Sequence, residues 1–322
     1  MRRYSSGRRR ARLFVLAVLL LAVAVAGVAA EVAHGHTSHH EHAVSVASAS
    51  PSPRTIATPR ASTRLATRPT TQLTTRPTVA FPSVAAIAKG LDWAEDRDAD
   101  VGVALVNSQG KLYGYNDRQQ FQSASLAKAM LLVAYLRRYP EPTAAMRVTL
   151  TTMIEDSDND SADAIYAVVG NRGLLGVAHV ADMEDFTTGT SWINTEMTAA
   201  DQAHFFFTYE QYLPAQSVSF ARTLLSHITA IQRWGIPAAA GPAGWQVFFK
   251  GGWLGEDNYA MNQAAWLERD GVRWSLAILT ADNPTSSYGW QTLKGITGLL
   301  LGCQPTPAYL AIIHQYDTGP DE

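Results

Sequence analysis

The stretch FQSASLAKAMLLVAYLRRYP, residues 121–140, sets Ser125 three positions ahead of Lys128. An apolar run follows, ending in two arginines and Pro140. Read outward from the serine, the run has the ending of a helix, with basic side chains in the last turn and proline as the stop. Residues i and i+3 share a helix face, so the Lys128 amine and the Ser125 hydroxyl are expected side by side. A helix N-terminus and burial both disfavour a charged lysine there. Under those conditions an amine can serve as a base toward a neighbouring hydroxyl. Ala127, Met130 and Leu131 around the pair point to burial. Spacing alone decides nothing. With 21 Ser and 5 Lys in 322 residues, about 0.3 Ser-x-x-Lys matches arise by composition.

Two later motifs carry more weight. MIEDSDNDSADAIY (153–166) holds Ser157-Asp158-Asn159 between two helical segments. A match to those three residues is expected only about 0.03 times by composition. A polar loop capping the helix from Asp160 would also explain it, and capping can coexist with function. Lys250-Gly251-Gly252 ends the strand-like WQVFFKGG, where glycines let a backbone approach a ligand closely. Around these motifs, SVAAIAKGLDWAEDRD (83–98) has helical spacing, and VGVALVNSQGKLYGYND (101–117) reads as two strands joined at Ser108-Gln109-Gly110. Helical segments fill Ser125 to Thr229. Three strand-like runs (GWQVFFKGG, YAMNQAAWLERDG and VRWSLAILTAD) follow, with Arg269-Asp270-Gly271 as a turn, and GWQTLKGITGLLL closes the domain as a helix. Strands at both ends with helices between them indicate one mixed sheet plus a helical subdomain.

With these motifs in this order, residues 84–302 resemble the serine β-lactamase and penicillin-binding protein superfamily, most closely the class A type. That family carries Ser-x-x-Lys, Ser-Asp-Asn and Lys-Thr-Gly motifs. The resemblance implies an α/β (α+β) fold of three layers, αβα, with an antiparallel sheet flanked by helices and a small helical subdomain. It also implies an active-site-serine amide hydrolase without a cofactor or metal, acting as a monomer on a β-lactam or a peptidoglycan-derived substrate. By the same resemblance Ser125 is the acylated nucleophile and Lys128 its base, and Ser157 passes a proton to the leaving nitrogen. Asn159 holds the substrate amide and Lys250 supplies positive charge, with Gly251 and Gly252 lining the strand. The N–H groups of Ser125 and Trp253 form the oxyanion hole.

Three departures stand against that pattern. Gly251 replaces the hydroxyl residue of Lys-Thr/Ser-Gly, removing a hydrogen bond to a substrate carboxylate worth about 1.5–3 kcal/mol. The interval from Ser125 to Ser157 is short, which trims the helical subdomain. In VADMEDFTTGTSWINTEMT (180–198) the glutamate that would activate a deacylating water has no recognisable motif; Glu184 and Glu196 are the candidates. Acylation followed by slow deacylation is expected. A D,D-peptidase and a non-catalytic wall-binding domain are the alternative readings.

The rest of the chain bears on location. Residues 1–12 hold six Arg and no acid, and Leu13–Ala30 is an 18-residue uncharged run, the pattern of a signal peptide or membrane anchor. Either predicts export, with the Arg-rich end held in the cytoplasm. Residues 31–83 carry five of the nine His, then a Thr/Pro/Arg-rich tract with TRPTTQLTTRPT as a near-repeat. Their composition cannot support a core and predicts a disordered tether. Its histidines offer ligands to Zn²⁺ or Cu²⁺, although such tracts are commonly incidental. Its five arginines suit weak attraction to anionic wall polymers or lipid headgroups. The net charge of −2 gives no reason to expect nucleic acid as a partner. Cys303 is the sole cysteine, so no intramolecular disulfide forms. The expected boundaries are 84–303 for the hydrolase domain and 304–322 for a C-terminal tail.

Overall fold

Asn107 shows how local sequence sets up the sheet. Its side-chain carbonyl accepts from the N–H groups of Gln109 (3.0 Å) and Lys111 (2.9 Å), closing a hairpin turn in which Gly110 takes φ 79°. The computed structural model describes residues 80–255 and 259–302. The expectations for the basic N-terminus, the apolar run, the tether, Cys303 and the tail lie outside those residues.

The chain order begins α1 (Val84–Glu95), β1 (Asp100–Val106), β2 (Leu112–Tyr115), β3 (Gln120–Gln122), α2 (Lys128–Arg138), α3 (Ala144–Thr151) and α4 (Asn159–Val180). It continues β4 (Glu196–Thr198), α5 (Ala199–Phe207), α6 (Ala215–Ser226), α7 (Ile236–Ala240), β5 (Gln246–Trp253), β6 (Met261–Arg269), β7 (Val272–Ala281) and α8 (Ser286–Leu300). Five strands form one antiparallel sheet in the order β2-β1-β7-β6-β5, which leaves β5 at an edge. The β6–β7 turn is the expected one. Asp270 and Gly271 both take positive φ (49° and 81°), the geometry whose twist matches a tight hairpin.

Alternation along the strands sorts the two faces. Trp266 of β6 stacks on Phe248 (4.6 Å between ring centroids, 7° between planes) and on Tyr209 (5.5 Å), and it also meets Phe206 of α5. Ser275 of β7 donates to the Ala203 carbonyl of α5 at 2.6 Å, on the same face. The opposite face, through Met261 and Gln263, meets α8 and the segment entering α7. Helices therefore cover both faces, the three layers expected. A second sheet, β3 with β4, ties Gln120–Gln122 to Glu196–Thr198; the sequence reading had not anticipated it. The buried α2 packs against α4, with α3 alongside, as the helical subdomain. No helix among the described residues is long and apolar enough to cross a membrane.

Candidate active site

Ser125 does not start a regular α-helix. It lies in a 3₁₀ turn, Ala124–Ala127, which passes directly into α2 at Lys128. Ala124 precedes it at φ 48°, a sparsely populated conformation for a residue with a Cβ. The tip of β5 explains the tight turn. A Cβ on Gly252 would stand 2.7 Å from the Ser125 nitrogen and 2.6 Å from the Leu126 nitrogen. Only a glycine lets the strand approach so closely. Among the described residues the Ser125 hydroxyl has no hydrogen-bond partner, and the residue is 9% exposed.

Three side chains converge at the Ser157 loop. The Ser157 Oγ lies 3.0 Å from Lys250 Nζ and 3.3 Å from Lys128 Nζ, and both lysines are completely buried. Lys128 also donates to the Ser157 carbonyl (2.5 Å) and to Asn159 Oδ1 (2.8 Å). Its hydrogen bonds thus go to the Ser157 loop, not to the Ser125 hydroxyl that spacing alone had paired it with. The reason is long-range: the loop folds back over the start of α2 and presents two carbonyl acceptors. A neutral amine has two N–H groups for those acceptors and a lone pair left for a hydroxyl. Burial brings the Lys128 pKa down to about 8, against smaller opposing effects of Asp158 and Asp163. Burial, and then the proximity of Lys128, hold Lys250 well below its usual range.

The Ser157 loop is strained and capped. A π turn, Thr152–Asp156, ends in Ser157 at φ 59°, ψ 32°. Asp158 caps α4 by accepting from Ser161 N–H at 2.7 Å, so the helix begins at Asn159, one residue before the expected Asp160. Capping accounts for Asp158. It does not account for the left-handed Ser157, whose carbonyl and hydroxyl both face buried amines. Asn159 is exposed at the rim.

On β5, Lys250 and Gly252 point to the side of the sheet that holds the Ser125 turn, while Gly251 and Trp253 point to the other. The Leu254 N–H donates to the Ala260 carbonyl at 3.0 Å, continuing the β5–β6 register. In an antiparallel ladder, inward-pointing donors alternate. The N–H groups of Gly251 and Trp253 therefore face the free edge of the sheet. Beside the Ser125 turn, Trp253 N–H is a donor aimed where a carbonyl oxygen could sit.

Neither glutamate candidate joins this cluster. Glu184 pairs with Arg118 at 3.2 Å in an exposed position, and Glu196 lies exposed on β4 opposite Gln122. Beside Lys128 there is instead the buried Trp192, whose ring centroid lies 4.8 Å from Lys128 Nζ. Trp192 is fixed by an N–H bond to Asp163 Oδ1 at 2.7 Å, and its carbonyl accepts from Ser123 and Thr195. No sequence motif marked Trp192 or Asp163. Only the return of the 181–198 loop onto α4 brings them together. Among the described residues no group of His, Cys, Asp or Glu could hold a metal ion.

The sequence matches no family model and no curated protein. Solved structures do match. A class A β-lactamase from Bacteroides cellulosilyticus DSM 14838 superposes with TM-score 0.60 at 14% identity, covering 68% of this chain and 96% of that one. A β-lactamase from Sphaerobacter thermophilus DSM 20745 gives 0.59 at 17%, covering 68% and 97%. One from Chitinophaga pinensis DSM 2588 gives 0.58 at 17%, covering 67% and 98%. This chain has the fold of the class A serine β-lactamases.

Proposed function

We propose that the protein is an exported active-site-serine amide hydrolase that is acylated at Ser125 and deacylates slowly. The observation that carries this reading is the convergence of Lys128, Ser157 and Lys250, with Lys128 one helical turn from an unpartnered Ser125 hydroxyl. The Ser125 Oγ attacks an amide carbonyl of a β-lactam ring or a peptidoglycan stem peptide, forming an ester bond as the C–N bond breaks. Its proton passes to the neutral Lys128 amine and returns through Ser157 to the leaving nitrogen. The backbone N–H groups of Ser125 and Trp253 hold the oxyanion, which exists only around the transition state. Asn159 and Lys250 orient the substrate.

Slow deacylation follows from what lies beside Lys128. Hydrolysis of the ester needs a water held by a general base within about 3 Å; the group packed against Lys128 is the Trp192 indole, and Glu184 and Glu196 are engaged elsewhere. The acyl-enzyme is then long-lived, the behaviour of a penicillin-binding protein or D,D-peptidase more than of an efficient β-lactamase. Fluorescent penicillin followed by peptide mapping tests the assignment. An adduct on Ser125 alone is expected; an adduct on Ser123 or Ser157, or labelling that survives Ser125→Ala, overturns it.

Export rests on the Arg-rich start and the uncharged run at 13–30. The Thr/Pro/Arg-rich segment after it, without an acid from 43 to 83, would space the domain from the membrane. Residues 1–83 fused to a reporter active only outside the cytoplasm should give activity; a silent, intact fusion contradicts export.

A further inference from the structure

We propose that Trp234, Trp253 and Trp290 form a subsite at the free edge of β5 that takes an uncharged ring of the substrate, a sugar or a phenyl group presenting a flat face. The proposal rests on the acyl-transfer reading for its position but not for its chemistry. Trp253 and Trp290 are 43% and 41% exposed, whereas Trp192, Trp245, Trp266 and Trp274 are buried. Scattered surface apolar residues need no explanation, but these three are contiguous. Trp234 and Trp290 stack at 5.9 Å and 21°, and Trp253 meets Trp234 edge-on at 6.3 Å and 78°.

The platform is built, not incidental. Gln263 of β6 accepts from Ile236 N–H (2.8 Å) and donates to the Trp234 carbonyl (2.9 Å), clamping the corner that carries Trp234. Between them Gly235 takes φ 62°, and a Cβ there would lie 2.4 Å from Gln263 Oε1. The corner thus tolerates no side chain, and both ends of the Gln263 amide are spent on backbone.

The platform also adjoins the reacting edge. Trp253 carries the candidate oxyanion donor on its own backbone. Trp234 lies across Gly251, where a Cβ would be only 3.6 Å from Trp234 Cζ2. Because Gly251 has no side chain, Trp253 is the strand residue whose side chain meets Trp234, as a second wall of the platform. A strand edge that lacks a hydroxyl at Gly251 and is flanked by three indoles, one on the strand and two from the α7 corner and α8, favours an apolar ring face over an anion.

The test uses the full chain carrying Ser125→Ala, so that binding is read without acylation. Intrinsic fluorescence is titrated with tetra-N-acetylchitotetraose and, separately, with phenylacetamide. Saturable binding of either is expected, weakened about fivefold or more in both Trp290→Ala and Trp253→Leu. A saccharide response identifies a glycan as the source of the ring, and a phenylacetamide response an aromatic side chain. If neither ligand saturates, or both variants bind as well as the parent, the subsite does not exist. Penicillin labelling of the unsubstituted protein reads the acylation reading separately, so failure of one is not mistaken for failure of the other.

Discussion

Lys128 is buried and can act as a base only when neutral. Burial lowers its pKa to about 8, so the neutral fraction falls tenfold for each pH unit below that value. The acylation rate should therefore climb about tenfold per unit up to roughly pH 8 and then level off. A rate constant independent of pH between 6 and 8 would remove Lys128 from the role. Lys128→Arg keeps the charge and cannot supply a neutral amine, so acylation should fall about 10²–10⁴-fold. The two strand glycines should behave oppositely. A Cβ on Gly251 meets nothing nearer than 3.5 Å, so Gly251→Thr should fold normally. It should also tighten binding of carboxylate-bearing β-lactams about tenfold or more through the restored hydroxyl. A Cβ on Gly252 would strike the Ser125 and Leu126 nitrogens. Gly252→Ala should then displace the turn and cut acylation about 10²-fold. Second-order rate constants for one penicillin across both variants check the pair, and equal effects would mean the strand does not sit against Ser125.

At the scale of elements, the sequence was most legible where periodicity or turn chemistry is local. The Asn107–Lys111 hairpin, the Asp270-Gly271 turn, the three final strands and α8 all stand where alternation and turn residues put them. The Ser125 turn was misjudged because its 3₁₀ form is imposed by Gly252, 127 positions away by number. Trp192 escaped for the same reason, since its place beside Lys128 depends on Asp163 and on the β3–β4 pairing, neither of which has a motif. Glu184 and Glu196 looked like candidates only because they were the acids at hand. The ion-pair network joining α6 to the sheet was equally invisible. Arg222 bonds Glu210 (2.5 Å) and Glu268 (2.7 Å), and Arg273 bonds Glu210 (2.6 Å), all partly buried. Arg222→Ala leaves two carboxylates short of a partner, and unfolding free energy should fall by about 2–4 kcal/mol with little change in acylation. Chemical denaturation measures this, and a loss below about 0.5 kcal/mol would place the network among ordinary surface pairs.

Over the whole molecule, the proposed site joins the helical subdomain, which contributes Lys128 and Ser157, to the sheet edge, which contributes Lys250 and the Trp253 N–H. The order of the three motifs along the chain made that assembly readable, and so was the lack of a motif for a deacylating glutamate; Trp192 beside Lys128 and the indole platform were not, because each is a property of neighbours distant in sequence. The central claim is that this assembly acylates and then stalls. Intact mass of the protein followed in time after mixing with one equivalent of a penicillin tests both halves together. A single adduct should form on Ser125 and persist long after free drug is consumed. Rapid return to the unmodified mass, with the whole equivalent of drug recovered as hydrolysed product, would contradict the account, as would the absence of any adduct.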